Sequence, residues 1–443
     1  MDIIHKILNI TLPFLSIILL IIILPILSLY RIIRFCVRSV FPENLAGKVI
    51  IITGASSGIG EHLAYEYAKH GACLALVDIR KELLVAVAEK AEELGSPKAI
   101  VIKADVSSLE DCKKSVDETI KQFGELDCLI NNAGIGIVGV FEEQKCIKDK
   151  FSTMDVNFWG SVNVTHFALP HLRKSKGRIV VIGSCSGWCG TPKVSVYNAS
   201  KAAQQSFFET LRIEVAPDIG ITMVTPGIIN TPLANKDCFL YQTSLDKVPS
   251  QSAEGCAKAI VNSARRGDEY LTEPQWMRAL FLWVMLLPED VNFWGSVNVT
   301  HFALPHLRKS KGRIVVIGSC SGWCGTPKVS VYNASKAAQQ SFFETLRIEV
   351  APDIGITMVT PGIINTPLAN RDCFLYQTSL DKVPSQSAEG CAKAIVNSAR
   401  RGDEYLTEPQ WMRALFLWVM LLPEVMNSVR RFQMVAGYKP KFQ

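Results

Sequence analysis

The chain has 443 residues, of which 20% are charged and 48% hydrophobic, and its net charge is +6 at pH 7. That charge is spread out, with no basic block interleaved with aromatics, which argues against nucleic acid as a partner. None of the 13 cysteines forms a CxxC pair, and Cys185 and Cys189 have no histidine cluster nearby, so the pattern points to reduced structural thiols and to no metal site.

The first predicted element is membranous. No residue from Ile7 to Tyr30 is charged, and about 20 apolar residues suffice to cross a bilayer. Pro13 and Pro25 interrupt the stretch, so a kinked spanning helix competes with a hairpin that dips into one leaflet or an oil phase. Arg31, Arg34 and Arg38 follow it against Lys6 before it, which places the remaining chain on the cytosolic side. Residues 1–40 therefore read as an uncleaved signal-anchor for a membrane or lipid droplet.

Strands and helices then alternate. Apolar runs predict strands at Ala46–Thr53, Ala72–Val77, Lys98–Lys103, Leu126–Ile130, Gly177–Ile182, Ile221–Val224 and Glu269–Leu271. Helical patterns fall at Glu61–His70, Lys81–Leu94, Leu109–Phe123, Lys145–Arg173, Val196–Val215 and Ala253–Arg266. This alternation predicts an α/β fold with a doubly wound parallel sheet of the Rossmann kind. The loop Leu233–Pro249 is expected to cover a substrate pocket. The apolar stretch Trp276–Leu287 reads either as a core helix or as an interfacial one.

A long repeat complicates this plan. Asp155–Glu289 recurs as Asp290–Glu424, and the two copies differ only in Lys236 against Arg371. The repeat begins inside the predicted Lys145–Arg173 helix, so its edges are not domain boundaries. The expected organisation is an anchor at 1–40, a dinucleotide-binding domain at 46–289, an incomplete second copy at 290–424 and a tail at 425–443. Because the long helix continues from Lys145 into the first copy, that copy is expected to complete the domain.

Two strings carry the chemistry. Thr53-Gly54-Ala55-Ser56-Ser57-Gly58-Ile59-Gly60 is a glycine-rich turn between strand and helix, where backbone N–H groups can face a pyrophosphate. Asp78 ends the next strand and can accept ribose hydroxyls, favouring NAD, whereas Arg80 can meet a 2′-phosphate and so admit NADP. Tyr197-Asn198-Ala199-Ser200-Lys201 puts a phenol and an ammonium one helical turn apart. A free phenol titrates near 10, so an adjacent cation is expected to help Tyr197 take a proton from an alcohol. Ser184 can hold the substrate oxygen, and Asn157 can anchor a water beside Lys201. The second copy repeats the pair as Tyr332 and Lys336 but has no glycine turn of its own.

Together these motifs resemble the short-chain dehydrogenase/reductase family, whose pattern TGxxxGxG, NNAG, Asn, Ser, YxxxK stands here in order from Thr53 to Lys201. The resemblance implies seven parallel strands and an NAD- or NADP-dependent oxidoreductase with Asn157, Ser184, Tyr197 and Lys201 as catalytic residues. It implies cofactor contacts from Gly54, Ser56, Ser57, Gly58, Ile59, Gly60, Asp78, Arg80, Asp105, Val106, Asn131, Ala133, Tyr197, Lys201, Pro226, Gly227, Ile229 and Thr231. The apolar leader and tail are similar, more narrowly, to steroleosins, the oil-body proteins also called 11-β-hydroxysteroid dehydrogenase-like. That implies a sterol-like alcohol or ketone as substrate, residence on the endoplasmic reticulum or lipid droplets, and a homo-oligomer disturbed by the repeat. Alternatives that keep the chemistry are a retinol dehydrogenase or a 3-ketosphinganine reductase; an alternative of another class is an inactive lipid-droplet coat protein whose duplicated half has cost it catalysis.

Overall fold

The computed structural model describes residues 3–137, 152–187, 191, 193–235, 249–277, 293–324, 326, 329–366, 384–422, 425–426 and 428–429. The expected start of the long helix at Lys145, most of the loop Leu233–Pro249, the apolar stretch after Met277 and most of the C-terminal tail lie outside them.

Helix α1, Ile3–Val40, has 38 residues and contains both Pro13 and Pro25. One continuous helix thus stands where the sequence left a hairpin open. At 1.5 Å per residue it is ~57 Å long. Its segment Ile7–Val40 is long and apolar enough to cross a membrane, with a mean hydropathy of 2.9 over its most apolar window.

The chain divides into two compact units, one comprising Phe35–Phe208 with Val215–Val284, the other Met1–Arg34, Glu209–Glu214 and Met285–Gln443. The first contains β1 (Val49–Thr53), α2 (Gly58–Lys69), β2 (Cys73–Asp78), α3 (Lys81–Glu93), β3 (Ala99–Lys103), α4 (Leu109–Phe123) and β4 (Cys128–Asn131). After the undescribed segment come α5 (Ser161–Ser175), β5 (Arg178–Ile182), α6 (Ser195–Val215, of which Glu209–Glu214 belong to the other unit), β6 (Gly220–Pro226), the short β7 (Ile229–Asn230) and β8 (Gln251–Ser252), α7 (Ala253–Arg266) and β9 (Tyr270–Glu273).

Seven of these strands form one sheet in the order β3-β2-β1-β4-β5-β6-β9, all parallel. Parallel strands covered by helices on both faces need apolar side chains on both faces, and all five residues of β1, Val-Ile-Ile-Ile-Thr, are buried. One core cluster packs Leu63, Ala64 and Tyr67 of α2 with Ile260 and Val261 of α7 over Ile52, Ile130, Val180 and Ile182 of the sheet. Strand order reverses between β1 and β4, and ligands of open α/β sheets bind in the crevice beyond the carboxyl ends of strands at that point.

The predicted Lys145–Arg173 helix is not uniform. Asp155–Gly160 is a π-helical turn leading into α5. Such turns are local widenings of a helix, common at functional sites. Here the widened turn carries Asn157, whose amide is fully buried in bonds to other segments.

The second unit contains α8 (Phe293–Ser310), β10 (Arg313–Ile317), α9 (Ser330–Val350), β11 (Gly355–Pro361), β12 (Ile364–Asn365), β13 (Gln386–Ser387), α10 (Ala388–Arg401), β14 (Tyr405–Glu408) and α11 (Arg413–Leu421). Its main sheet has three parallel strands in the order β10-β11-β14. Within this unit α1 makes polar contacts through Asn9 and Arg31. Asn9 Oδ1 accepts the Trp411 N–H at 2.6 Å, and Arg31 donates to the Leu421 carbonyl at 3.2 Å.

Candidate active site

The glycine turn and the Asn131–Gly134 segment lock together at the switch point. Gly54 has φ +65°, and a Cβ there would lie 2.7 Å from Ala133 Cα. Gly58 has φ +63° and opens α2. Both positions favour glycine, because positive φ strains other residues. A Cβ on Gly60 would collide with the Gly54 carbonyl oxygen. Asn132 Nδ2 donates to the Thr53 and Gly54 carbonyls at 2.9 and 3.0 Å, and Thr53 Oγ1 accepts the N–H groups of Asn132 and Ala133 at 3.0 and 3.1 Å.

The N-terminus of α2 has no side-chain cap, whereas α4 and α7 are capped by Ser108 and Ser252. Its first-turn N–H groups and the positive end of the helix dipole are thus available to an anion. Thr231 lies over this turn, 3.3 Å from the place a Gly58 Cβ would take. Thr231 follows Ile229, which is buried in the β7–β8 ladder. These features fit a dinucleotide pyrophosphate.

Asp78, at the end of β2, is 7% exposed. Its Oδ1 accepts the Arg80 N–H and Nε at 3.0 and 3.2 Å, and its Oδ2 accepts the Ser56 N–H at 3.3 Å. Burial pushes its carboxyl up, but the bonds from Arg80 and Ser56 outweigh this and hold it below the ordinary value. The Arg80 guanidinium also donates to Ser57 Oγ at 2.9 Å. Sequence reading set Asp78 against Arg80 as alternatives; the fold makes them one ion pair bridged to the glycine turn.

Beyond β5, Ser184 and Tyr197 are brought together. Ser184 Oγ accepts the Ser186 N–H at 3.1 Å, and its hydrogen bond to the Tyr197 oxygen favours phenolate. Lys201 Nζ donates to the Ile182 carbonyl at 2.8 Å and to Gln204 Oε1 at 3.3 Å. Asn157 Oδ1 accepts the Ile135 N–H at 2.8 Å, and its Nδ2 donates to the Ile135 carbonyl and to Ser200 Oγ, each at 2.9 Å. A Gly134 Cβ would lie 3.3 Å from Asn157 Oδ1 and 3.7 Å from Lys201 Nζ. The Asn131–Gly134 segment, Asn157 and the Tyr197–Lys201 helix therefore meet in one place.

The model of the short chain dehydrogenase family matches residues 48–238 and 275–372. The 11-beta-hydroxysteroid dehydrogenase-like 2 of Arabidopsis thaliana is 48% identical over 309 residues, covering 70% of this chain and 100% of the relative. The 11-beta-hydroxysteroid dehydrogenase A of Sesamum indicum is 48% identical over 299 residues, covering 65% and 86%. This chain belongs to the short-chain dehydrogenase family. A short chain dehydrogenase/reductase from Burkholderia phymatum, solved in complex with NAD, shares the fold at 24% identity and a TM-score of 0.50, covering 54% of this chain and 93% of that one.

Burial and local bonding set the resting state of the expected catalytic residues in the dehydrogenase. The Tyr197 phenol is pushed up to about 12 by burial, with Ser184 pulling it down in part. Lys201 is pulled down to about 8, also by burial. Both shifts come chiefly from burial, and the Lys201 ammonium is turned onto the Ile182 carbonyl. Asn157, expected to anchor a water, spends its amide on Ile135 and Ser200.

Other residues in the expected cofactor set have local partners. Asn131 is buried and donates to Thr165 Oγ1 at 2.8 Å, tying β4 to α5. Asp105 closes its own turn by accepting from the Ser107 N–H and Oγ at 2.9 and 2.8 Å, and Val106 packs against Gly160. Gly227 donates its N–H to the Glu273 carbonyl at 2.7 Å, next to Pro226 at the end of β6. Sequence reading missed Asn132, Ser200 and Gln204 as individual residues. The first two stood inside the quoted strings; Gln204 had no signal beyond its i+3 spacing from Lys201.

Proposed function

We propose that this dehydrogenase interconverts a hydroxysteroid-like secondary alcohol and its ketone with NAD or NADP. The observation that carries the reading is the convergence of Ser184, Tyr197, Lys201 and Asn157 beside an uncapped, glycine-rich helix N-terminus. The names of the relatives support a steroid as substrate. A bound nicotinamide would accept or supply the hydride. Ser184 holds the substrate oxygen, and Tyr197 takes the alcohol proton or returns it to the ketone. Lys201 stabilises phenolate in that step. Asn157 holds the Asn131–Gly134 segment, through Ile135, against the Tyr197–Lys201 helix.

Both Asp78 oxygens are occupied, while the Arg80 side chain is partly exposed and bonded to Ser57. A cation at this point suits a 2′-phosphate, so we assign NADP as the better cofactor. Helix α1 anchors the protein to the endoplasmic reticulum or a lipid droplet, with the dehydrogenase unit on the cytosolic side. An apolar substrate dissolves in the phase that the anchor occupies. Purified full-length protein assayed with both cofactors against panels of sterols, retinol and 3-ketosphinganine tests the assignment. Turnover of a steroid with NADP is expected. Turnover confined to retinol or the sphingoid ketone refutes the substrate class.

A further inference from the structure

The second repeat has folded into half of this fold. Its registers Arg313↔Gly355 and Met358↔Tyr405 reproduce Arg178↔Gly220 and Met223↔Tyr270 of the first. Ser319 Oγ accepts the Ser321 N–H at 3.2 Å, as Ser184 does from Ser186 at 3.1 Å. Lys336 Nζ lies 5.2 Å from the centre of the Tyr332 ring. Asn292, the counterpart of Asn157, is outside the described residues.

Burial separates the two repeats where sequence does not. Val164, Val180, Ile182 and Val261 are 0, 0, 5 and 0% exposed, whereas their counterparts Val299, Val315, Ile317 and Val396 are 72, 38, 49 and 57% exposed. Identical side chains on identical elements differ only through what covers them. In the complete unit Val180, Ile182 and Val261 share a cluster with α2 and with Ile130 of β4, and α5 packs on α4. The outer edge of β5 is taken by β4 in parallel, whereas β10 ends its sheet. Every covering element lies between Leu45 and Asn131. The open face of the second repeat is therefore the footprint of one particular object, the first half of this fold.

We propose that this face is a docking surface for the first half, about residues 45–137, of a second copy of this chain. Docking pairs the copy's β4 with β10 and sets its glycine turn beside Ser319, Tyr332 and Lys336, making a dehydrogenase site there in place of the one the copy gives up on its own first repeat. This rests on the reading of the first site given above. The occupant follows from the sequence, since the first half already covers the same residues in the first repeat. Contacts released from one repeat are regained on the other, which is the condition under which domain exchange is cheap. Each chain also carries one first half and two surfaces able to receive it.

The test uses full-length protein in detergent. Val315→Glu/Val396→Glu changes two exposed residues, so it leaves dilute-protein activity unchanged. It should weaken self-association in sedimentation equilibrium at least tenfold. Equal association of variant and wild type overturns the proposal. In a second experiment two full chains are co-expressed. One carries Tyr197→Phe/Tyr332→Phe and contributes an intact first half. The other carries Gly60→Val/Tyr197→Phe, leaving Tyr332 as the one tyrosine four residues before its lysine in the repeats. Steroid turnover at least tenfold above either chain alone is expected. With active wild type, turnover no higher than the two chains separately overturns the proposal, even where the glutamates disrupt association. Inactive wild type instead defeats the reading of the first site, and sedimentation, which needs no turnover, still decides the docking.

Discussion

The same substitution made at two places with the same neighbours in sequence should have two different costs. Val261 in α7 is fully buried, and Val396 in α10 is 57% exposed. Val261→Ala removes the equivalent of two methylenes, about 1.6 kcal/mol of transfer free energy at about 0.8 kcal/mol each. The space left between α7 and α2 adds a cavity cost of about 1 kcal/mol. At Val396 part of the transfer term is already lost to solvent and no cavity forms, so the cost stays below about 0.7 kcal/mol. Alanine's greater helix propensity acts equally at both sites and cancels from the comparison. The predicted difference is about 2 kcal/mol. With an m-value of about 2 kcal/mol per molar urea, that is a midpoint shift of about 1 M. Urea unfolding followed by circular dichroism reads it for both units. Val261→Ala should lower one transition by about that much, and Val396→Ala should move none appreciably. Equal shifts would show that the two repeats are equally covered and would refute the reasoning.

In the Val315→Glu/Val396→Glu background, which removes exchange between copies, Tyr197→Phe should lower kcat for steroid by about 10²- to 10⁴-fold; Tyr332→Phe should leave it within about twofold, and the reverse pattern would move the site to the second repeat. Arg80→Ala should lower kcat/KM for NADP relative to NAD by about 10- to 100-fold, the worth of charge-assisted hydrogen bonds to a phosphate; an unchanged ratio removes Arg80 from cofactor choice. Lys201 falls to about 8 in the folded protein against an ordinary 10.5. Between those values the unfolded chain holds a proton that the folded one has released, so stability rises with pH across this window. Relative to Lys201→Met, wild type should gain up to about 3 kcal/mol between pH 8 and 10.5, and a flat difference would contradict the burial of the ammonium. Deleting residues 1–40 should release the protein from the membrane fraction on flotation, and a deletion variant that still floats would place the anchor elsewhere.

Much of this dehydrogenase was legible before folding, because the informative features are local. Apolar runs and helical periodicity marked the seven strands of the main sheet and the helices between them. The glycine turn and the Tyr197–Lys201 spacing are each contained in a few consecutive residues. What the sequence left open depends on groups far apart in the chain. The π turn at Asp155–Gly160 comes with bonds from Asn157 to Ile135 and Ser200. The shorter bond of Lys201 goes to a backbone carbonyl of β5, which no spacing rule reveals. Asp78 and Arg80 looked like competitors until the Ser57 hydroxyl and the buried carboxylate were found on the same guanidinium.

The two repeats draw the boundary most sharply. Arg178–Ile182 and Arg313–Ile317 are the same five residues, and both form parallel strands with the same registers toward the next strand. By itself the sequence determined that each would be a strand, and which helix and strand would follow it. It could not determine that Val180 is buried and Val315 exposed, because hydrophobic burial depends on neighbours in space. Those neighbours, β4, α2 and α4, occur once in the chain. Chain continuity made the first copy their expected recipient; only the tertiary structure decided which side chains that packing buries and which it leaves open on the second copy, because burial is set by contacts between distant segments.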